Sequence, residues 1–267
     1  MIRALRVLAA LGAAGLAYGV WNSRRFVVTR RQLRLPGLRS AVRVVQLSDL
    51  HYGRSHPVGQ VRSWVNAALA LDPDLVLVTG DFVDDPVRPA DLAALVREVG
   101  RLRAPLGVLA VLGNHDYHGF EEEGVGVLRA ALEGVGLRVL VNEGLLVRDD
   151  LFVGGVDDLW LGRPDLDLAL DGAPRDGAVL LMSHNPDLLP RVPARVGLTL
   201  SGHTHGGQVS LPVLGAPHSG SSYRQRYLGG FVRGPGLAHV STGLGTTKLP
   251  LRFGVPAEVV LLELLPG

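Results

Sequence analysis

Cysteine is missing from all 267 residues. Its absence removes thiol nucleophiles, disulfide frameworks, Cys-based zinc sites and iron–sulfur clusters. Any metal must therefore be held by His, Asp, Glu or Asn. The compartment stays open, because an exported protein need not contain cysteine either. Also lacking is a Lys/Arg stripe with interleaved aromatics in the body of the chain, which disfavours a nucleic-acid-binding face. Internal repeats and low-complexity tracts are absent, and no linker-like stretch interrupts residues 40–267. With 47% hydrophobic residues the chain is no disordered segment and has enough apolar material for a sizeable core.

Acid is lacking from residues 1–39, which carry eight Arg and neither Asp nor Glu. Residues 40–267 hold 19 basic and 25 acidic residues, a net of −6, so the overall charge of +2 conceals two unlike parts. Within the basic part, Val7 to Trp21 is a 15-residue run without charge. As a helix it would reach about 22 Å, short of the roughly 30 Å hydrocarbon core unless Ala4, Leu5 and a snorkelling Arg6 are counted in. Tyr18 and Trp21 stand where interfacial aromatics belong. The segment reads first as a membrane anchor, then as a cleaved signal peptide, and last as a core helix. Arg24 and Arg25 just after the run, and no small-x-small site there, weaken the signal-peptide reading. A twin-arginine signal would need its pair ahead of the run. Five arginines at 24–34 favour a cytoplasmic body by the positive-inside rule, although Val27 to Leu35 alternates like a strand. The expected division is 1–32 for the anchor or signal segment with its basic linker, and 33–267 for one domain.

Beyond Pro36–Gly37 strands and helices alternate. Strands are expected at Val42–Leu47, Leu75–Thr79, Gly107–Leu112, Arg138–Val141, Leu145–Val147, Leu151–Val153, Val179–Met182, Leu198–Leu200, His239–Ser241 and Val259–Leu262. Helices are expected at Val58–Leu71, Ala90–Val99 and Val125–Leu132. The first half is βαβαβ-like and the fold class α/β. The second half is richer in strands and in Gly/Pro turns.

Five apolar strands end in metal-type ligands, where ligand sites of open α/β sheets lie. Their ends read Asp49-Leu50-His51, Gly80-Asp81, Gly113-Asn114-His115-Asp116, Ser183-His184-Asn185 and Gly202-His203-Thr204-His205. Asp49 and His51 are two apart, as are His203 and His205, so in extended backbone each pair would share a face. One bridging Asp can hold two divalent cations about 3.5–4 Å apart. Oxygen and imidazole donors without thiolate suit Mn, Fe or Zn. The glycines before Asp81, Asn114 and His203 allow sharp turns and close approach to an ion. Any one patch alone is weak, and their order at successive strand ends carries the argument.

These patches resemble the calcineurin-like metallophosphoesterase superfamily, with its D-x-H, G-D, G-N-H-[DE], H and G-H-x-H motifs. SGHTHGGQVSLP (201–212) and STGLGTTKLPLRF (241–253) resemble a bacterial subgroup of membrane-associated phosphodiesterases and UDP-2,3-diacylglucosamine pyrophosphohydrolases. The resemblance implies a four-layer α/β/β/α sandwich and two divalent metal ions. It implies Asp49, His51, His205 and bridging Asp81 as ligands of one ion, and Asn114, His184, His203 and Asp81 as ligands of the other. His115 is then the non-ligand facing the scissile phosphate, a general acid or charge-stabilising donor. Asp84 matches the carboxylate that braces it, with Asp116 the other candidate. The phosphoprotein phosphatase branch has Arg where this chain has Asp85, which weighs toward a phosphodiester or pyrophosphate substrate. An exported broad-specificity phosphodiesterase and a catalytically idle metal-binding scaffold are the alternatives. His56, His118, His218 and His239 read as structural or surface residues, with substrate contact the alternative for His118. Leu159–Trp160–Leu161 reads as core, with lipid-chain contact the alternative. Lys248 and Arg252 read as an ordinary exposed pair, with offset of substrate charge the alternative.

Overall fold

The computed structural model describes residues 2–53, 55–84, 89–120, 124–211 and 213–267. In chain order the strands are β1 (Phe26–Leu35), β2 (Val42–Leu47), β3 (Leu75–Thr79), β4 (Val108–Val111), β5 (Arg138–Val139) and β6 (Glu143–Arg148). They continue as β7 (Leu151–Gly155), β8 (Ala178–Met182), β9 (Leu198–Ser201), β10 (Gly230–Arg233), β11 (Leu237–Val240) and β12 (Ala257–Pro266). The α-helices are α1 (Ile2–Ser23), α2 (Val58–Leu69), α3 (Pro89–Val99), α4 (Asn114–His118), α5 (Gly126–Glu133) and α6 (Leu166–Ala169).

Two six-stranded sheets face each other. One runs β1-β12-β2-β3-β4-β5 and the other β10-β11-β9-β8-β7-β6. Strands β2, β3 and β4 pair in parallel, as do β7, β8, β9 and β11. Central parallel strands are covered on both faces, which is why β3 (LVLVT) and β8 (AVLLM) are apolar without alternation and wholly buried. Val44, Leu77 and Val111 of the first sheet meet Leu151, Leu180 and Leu200 of the second between the sheets. Val45, Val76 and Val78 point the other way, onto Val61, Trp64, Leu95 and Leu132 of α2, α3 and α5. The far face of the second sheet packs Phe152 and Leu181 against Leu170 and Leu188. The chain is thus an α/β/β/α sandwich, with thin outer cover on the second sheet. Against the expected elements, β10 and the short helices α4 and α6 are additional. Each has only four or five residues, too few to show a period.

One buried polar group crosses the sandwich. Gln46 of β2 donates through Nε2 to the Ser201 carbonyl (2.9 Å) and Thr79 Oγ1 (3.2 Å), and its Oε1 lies 3.1 Å from His239 Nδ1. It ties the first sheet to β9 and β11 just below the strand ends that carry the ligand-type residues. His239 is accordingly a core histidine.

At the N-terminus β1 pairs in parallel with β12 over ten residues, Phe26 to Leu35. The division expected between residues 32 and 33 falls within this strand. Helix α1 is docked only by its last turns. The Arg252 amide donates to the Gly19 carbonyl (3.0 Å), Asn22 Nδ2 to the Arg252 carbonyl (3.1 Å), and Tyr18 packs edge-on to Phe253. Leu5, Leu8, Leu11 and Leu16 are exposed. Among the described residues no helix is long and apolar enough to cross a membrane.

Two outcomes are expected. Gln46→Leu keeps volume but strands the Ser201 carbonyl and His239, and should lower unfolding free energy in urea titration by about 1–3 kcal/mol. A chain beginning at Arg24 should melt above one beginning at Leu33, because only the former keeps β1 whole to cover the β12 edge.

Candidate metal centre

The five ligand-bearing strand ends converge. Asp49 and His51 follow β2, Asp81 follows β3, Asn114 and His115 open α4 after β4, His184 follows β8, and His203 and His205 follow β9. Every one of these except His115 is buried. His51 Nε2 lies 3.0 Å from His205 Nε2 and 3.5 Å from Asp81 Oδ2. His205 Nε2 is 3.4 Å from Asp49 Oδ1. On the other side His184 Nε2 lies 3.1 Å from Asp81 Oδ2 and 3.2 Å from His203 Nδ1. Asp49, His51 and His205 form one group able to hold a metal ion and Asp81, His184 and His203 a second, while Asp81 also groups with His51 and His115.

The donors fit a divalent cation. Asp49 Oδ2 and Asn114 Oδ1 are buried without a hydrogen-bond partner, which is costly for a polar oxygen unless a cation meets it. Converging imidazole nitrogens and carboxylate oxygens, with no thiolate, suit a borderline or hard metal. Backbone contacts aim the rings. His184 Nδ1 sits 2.7 Å from the Thr79 carbonyl, leaving Nε2 for the cluster, and His203 Nε2 sits 3.1 Å from the Gly220 carbonyl, leaving Nδ1.

Local backbone differs from the expectation of extended Asp-x-His segments. Asp49, His51, Asp81, His203 and His205 all have left-handed φ, between 43° and 69°. Side chains two apart converge here through tight turns, not through strand alternation. Such conformations cost about 1–3 kcal/mol each and are held by surrounding structure. Asp116 supplies part of the hold. Its carboxylate accepts from the amides of Asp81 (3.0 Å), Phe82 (2.7 Å) and Gly113 (2.9 Å), clamping the ends of β3 and β4 together. Asp116 is thereby committed to backbone, whereas Asp84 Oδ1 lies 3.9 Å from His115 Nδ1. At Gly113 a Cβ would collide with Asp81 Oδ1, and at Gly202 with the Asp49 carboxylate, so both positions require glycine.

Burial and mutual charge set the protonation states. Burial pushes Asp49 up to about 6, with His184 opposing the rise and Asp81 adding to it. Burial also acts to raise Asp81, but His184 and His51 outweigh it and hold that carboxyl well below its ordinary range. Burial lowers His184, yet the neighbouring Asp81 carboxylate lifts it to about 10. Burial holds His51 and His205 well below the usual imidazole value and His203 at about 3.

Three residues differ from their sequence reading. Arg252 is fully buried, not exposed. Its guanidinium donates to the carbonyls of Thr242, Gly243 and Gly245, and Nη2 comes within 3.4 Å of His205 Nδ1. Trp160 is 51% exposed, and its ring stands edge-on 4.3 Å from that of His203. Leu161 is likewise exposed, and only Leu159 packs on the core. The loop is pinned by Asp158, whose Oδ2 accepts from the Trp160 and Leu161 amides. No period or motif marks Trp160, whereas Arg252 stands within the stretch 241–253 that carries the family resemblance. His56 is buried, 2.8 Å from Thr246 Oγ1, and His118 is exposed. His218 and Lys248 line a cavity of about 260 Å³ that opens beside His203 and His205.

Metal loading should release protons. Without a cation His184 carries one at neutral pH, while the other three imidazoles are neutral. A cation at His184 Nε2 displaces that proton, so Mn²⁺ affinity should rise with pH by about tenfold per unit below the His184 value. Calorimetry in buffers of different ionisation heat should register about one proton released per chain at pH 7.5. Heats independent of buffer would show His184 to be neutral beforehand.

Residues 42–207 match the family model described as calcineurin-like phosphoesterase. Metallophosphoesterase YkuE of Bacillus subtilis is 33% identical over 230 residues, 83% of this chain and 78% of that protein. Phosphodiesterase YaeI of Escherichia coli is 29% identical over 84% of this chain and 82% of that protein. A zebrafish transmembrane protein with a metallophosphoesterase domain is 28% identical over 98% of this chain, which spans 62% of its length. With the convergent Asp/His cluster at the strand ends, these matches establish that the chain belongs to the calcineurin-like phosphoesterase family and is a metal-dependent hydrolase.

Proposed function

We propose that the chain is a two-metal phosphoesterase that hydrolyses a phosphodiester or pyrophosphate bond. The carrying observation is that Asp81 Oδ2 lies 3.5 Å from His51 Nε2 on one side of the cluster and 3.1 Å from His184 Nε2 on the other. Asp49, His51, Asp81 and His205 would hold one cation, and Asp81, Asn114, His184 and His203 the other, with Mn, Fe or Zn suited to the donors. When bound, such ions supply Lewis-acid stabilisation of the phosphoryl oxygens and an activated water.

His115 is the proton donor of this reading. It is 22% exposed and stands edge-on to His51 with ring centroids 4.7 Å apart, at the margin of the cluster and open to a substrate. Asp84 Oδ1 is 3.9 Å from its Nδ1, outside hydrogen-bond distance but near enough for its charge to stabilise the protonated ring. A scaffold that only binds metal would not need a histidine so placed. Substrate preference rests on charge. Arg252 is bound to backbone carbonyls and does not grip phosphate, and Asp84 adds negative charge at the margin. A monoanionic diester suits this field better than a dianionic monoester. Asp85, which bears on the same point, lies outside the described residues. Helix α1, with its exposed leucines and flanking arginines, attaches the enzyme to a membrane surface, and the arginines at 24–34 favour its cytoplasmic side.

Hydrolysis of bis-p-nitrophenyl phosphate with Mn²⁺, abolished by chelator, tests the reaction. Asp81→Ala should lose more metal by elemental analysis than any other single ligand variant. One ion or none in active wild-type protein would refute the two-metal reading. His115→Ala should keep most of its metal and lose about 10²–10⁴-fold in turnover, less for a leaving group that needs no proton. Metal lost in step with activity would make His115 a ligand instead.

A further inference from the structure

We propose that the rim of the metal centre, and not helix α1 alone, is a docking surface for a bilayer leaflet rich in anionic headgroups. The inference rests on the phosphoesterase reading only for what the rim surrounds. Charge is distributed unevenly along the chain. Residues 1–48 contain nine Arg and no acid, and residues 188–257 contain six Arg, one Lys and no acid, whereas 23 of the 25 acidic residues lie in 49–187. The two acid-free stretches meet where the Arg252 amide donates to the Gly19 carbonyl and Asn22 to the Arg252 carbonyl.

The same stretches expose aliphatic side chains around the mouth. Val213 is 105% exposed, Leu214 73% and Leu249 60%. Leu249 and Lys248 line the cavity beside His203 and His205. The segment bearing Val213 is fastened to the α1-docking loop, because the Ser210 amide donates to the Phe253 carbonyl (2.8 Å) and the Phe253 amide to the Gln208 carbonyl (3.0 Å). Leu211 bridges to Gly215, closing the turn that presents both side chains to solvent. Val213 takes a left-handed φ of 70°, costly for a β-branched residue and giving it no contact in return.

Water is a poor environment for such tips, and two small protrusions, Val213–Leu214 and Leu249, do not make the broad continuous face that a folded protein partner covers. Apolar tips on a stretch of chain that carries Lys248, Arg224 and Arg226 and no acid from 188 to 257 complement a leaflet that is apolar inside and anionic at its surface. Tyr18 and Trp21 stand at the junction of α1 with the rim, with the Arg25 guanidinium 4.4 Å above the Trp21 ring, as befits the headgroup level. A leaflet seated on this rim faces the cavity, so a phosphoester headgroup reaches the cluster without leaving the membrane surface.

The absence of native cysteine makes the test direct. An environment-sensitive fluorophore is attached to full-length Leu214→Cys, and separately to Leu11→Cys in α1. Each is mixed with vesicles of phosphatidylcholine alone or with phosphatidylglycerol, carrying nitroxide-labelled lipid. The proposal expects blue-shifted, quenched emission from both sites on phosphatidylglycerol vesicles. It also expects Val213→Asp/Leu214→Asp, in which Asp tolerates the left-handed backbone, to bind those vesicles about 10- to 100-fold more weakly. Quenching at residue 11 with residue 214 still in water would overturn it, showing that the helix binds alone. So would no binding at either site. Hydrolysis of bis-p-nitrophenyl phosphate by the unlabelled wild type is scored separately: its absence overturns the phosphoesterase reading and leaves the vesicle result standing.

Discussion

A carboxylate buried at the meeting of two sheets needs positive charge around it, and much of this structure supplies or secures that charge for Asp81. Leaving such an anion uncompensated is far costlier than any single contact in the fold. Protonated His184 supplies that charge from one sheet at 3.1 Å, and His51, uncharged at neutral pH, approaches from the other at 3.5 Å. For both to reach one oxygen, the carboxyl ends of β2, β3, β8 and β9 must lie together, which fixes the relative position of the sheets at that edge. Gln46 secures the same join from below, and Asp116 secures the backbone that carries Asp81.

Strain and polarity at the site stem from this constraint. Five ligand-type residues adopt left-handed backbone because short turns alone bring side chains from parallel strands inward over so small a volume. The strain is held by buried hydrogen bonds: Asp116 accepts from four amides, and Arg252 donates to four carbonyls of the loop after β11. That loop in turn donates from Gly245 to the Asp49 carbonyl and from Leu244 to that of Ser48. Arg252 therefore links the last turn of α1 to the shell of the metal centre through one residue's backbone and side chain. The enzyme's apolar N-terminal helix and its chemistry are physically adjacent, although some 230 residues separate them in the chain.

Much of this was legible in the one-dimensional order of residues. Continuous apolar runs marked the buried strands, because a strand covered on both faces has no polar side to alternate with. Asp49, His51, Asp81, Asn114, His184, His203 and His205 were singled out because ligand chemistry recurred at strand ends, and strand ends are where α/β sheets place ligands. The structure brings those seven together. Less legible were residues whose role depends on a partner far along the chain. Asp116 stood beside His115 and looked equally able to orient it, but its carboxylate points back at amides across β3. Arg252 looked like a surface cation, since an arginine with a full set of carbonyl acceptors cannot be recognised until those carbonyls are gathered. Trp160 sat in an apolar triplet that suggested core, and the turn pinned by Asp158 holds it outward instead.

The sequence by itself determined the layered α/β class, the chemical identity of the donors and the family, because periodicity, residue type and motif order are local properties. Tertiary structure decided which oxygen both His51 and His184 approach, which candidate carboxylate lies nearest the His115 ring, and that the last turn of α1 docks on the backbone of Arg252, whose side chain reaches the cluster. Those are distances between segments far apart in the chain, and only the packing of one sheet on the other sets them.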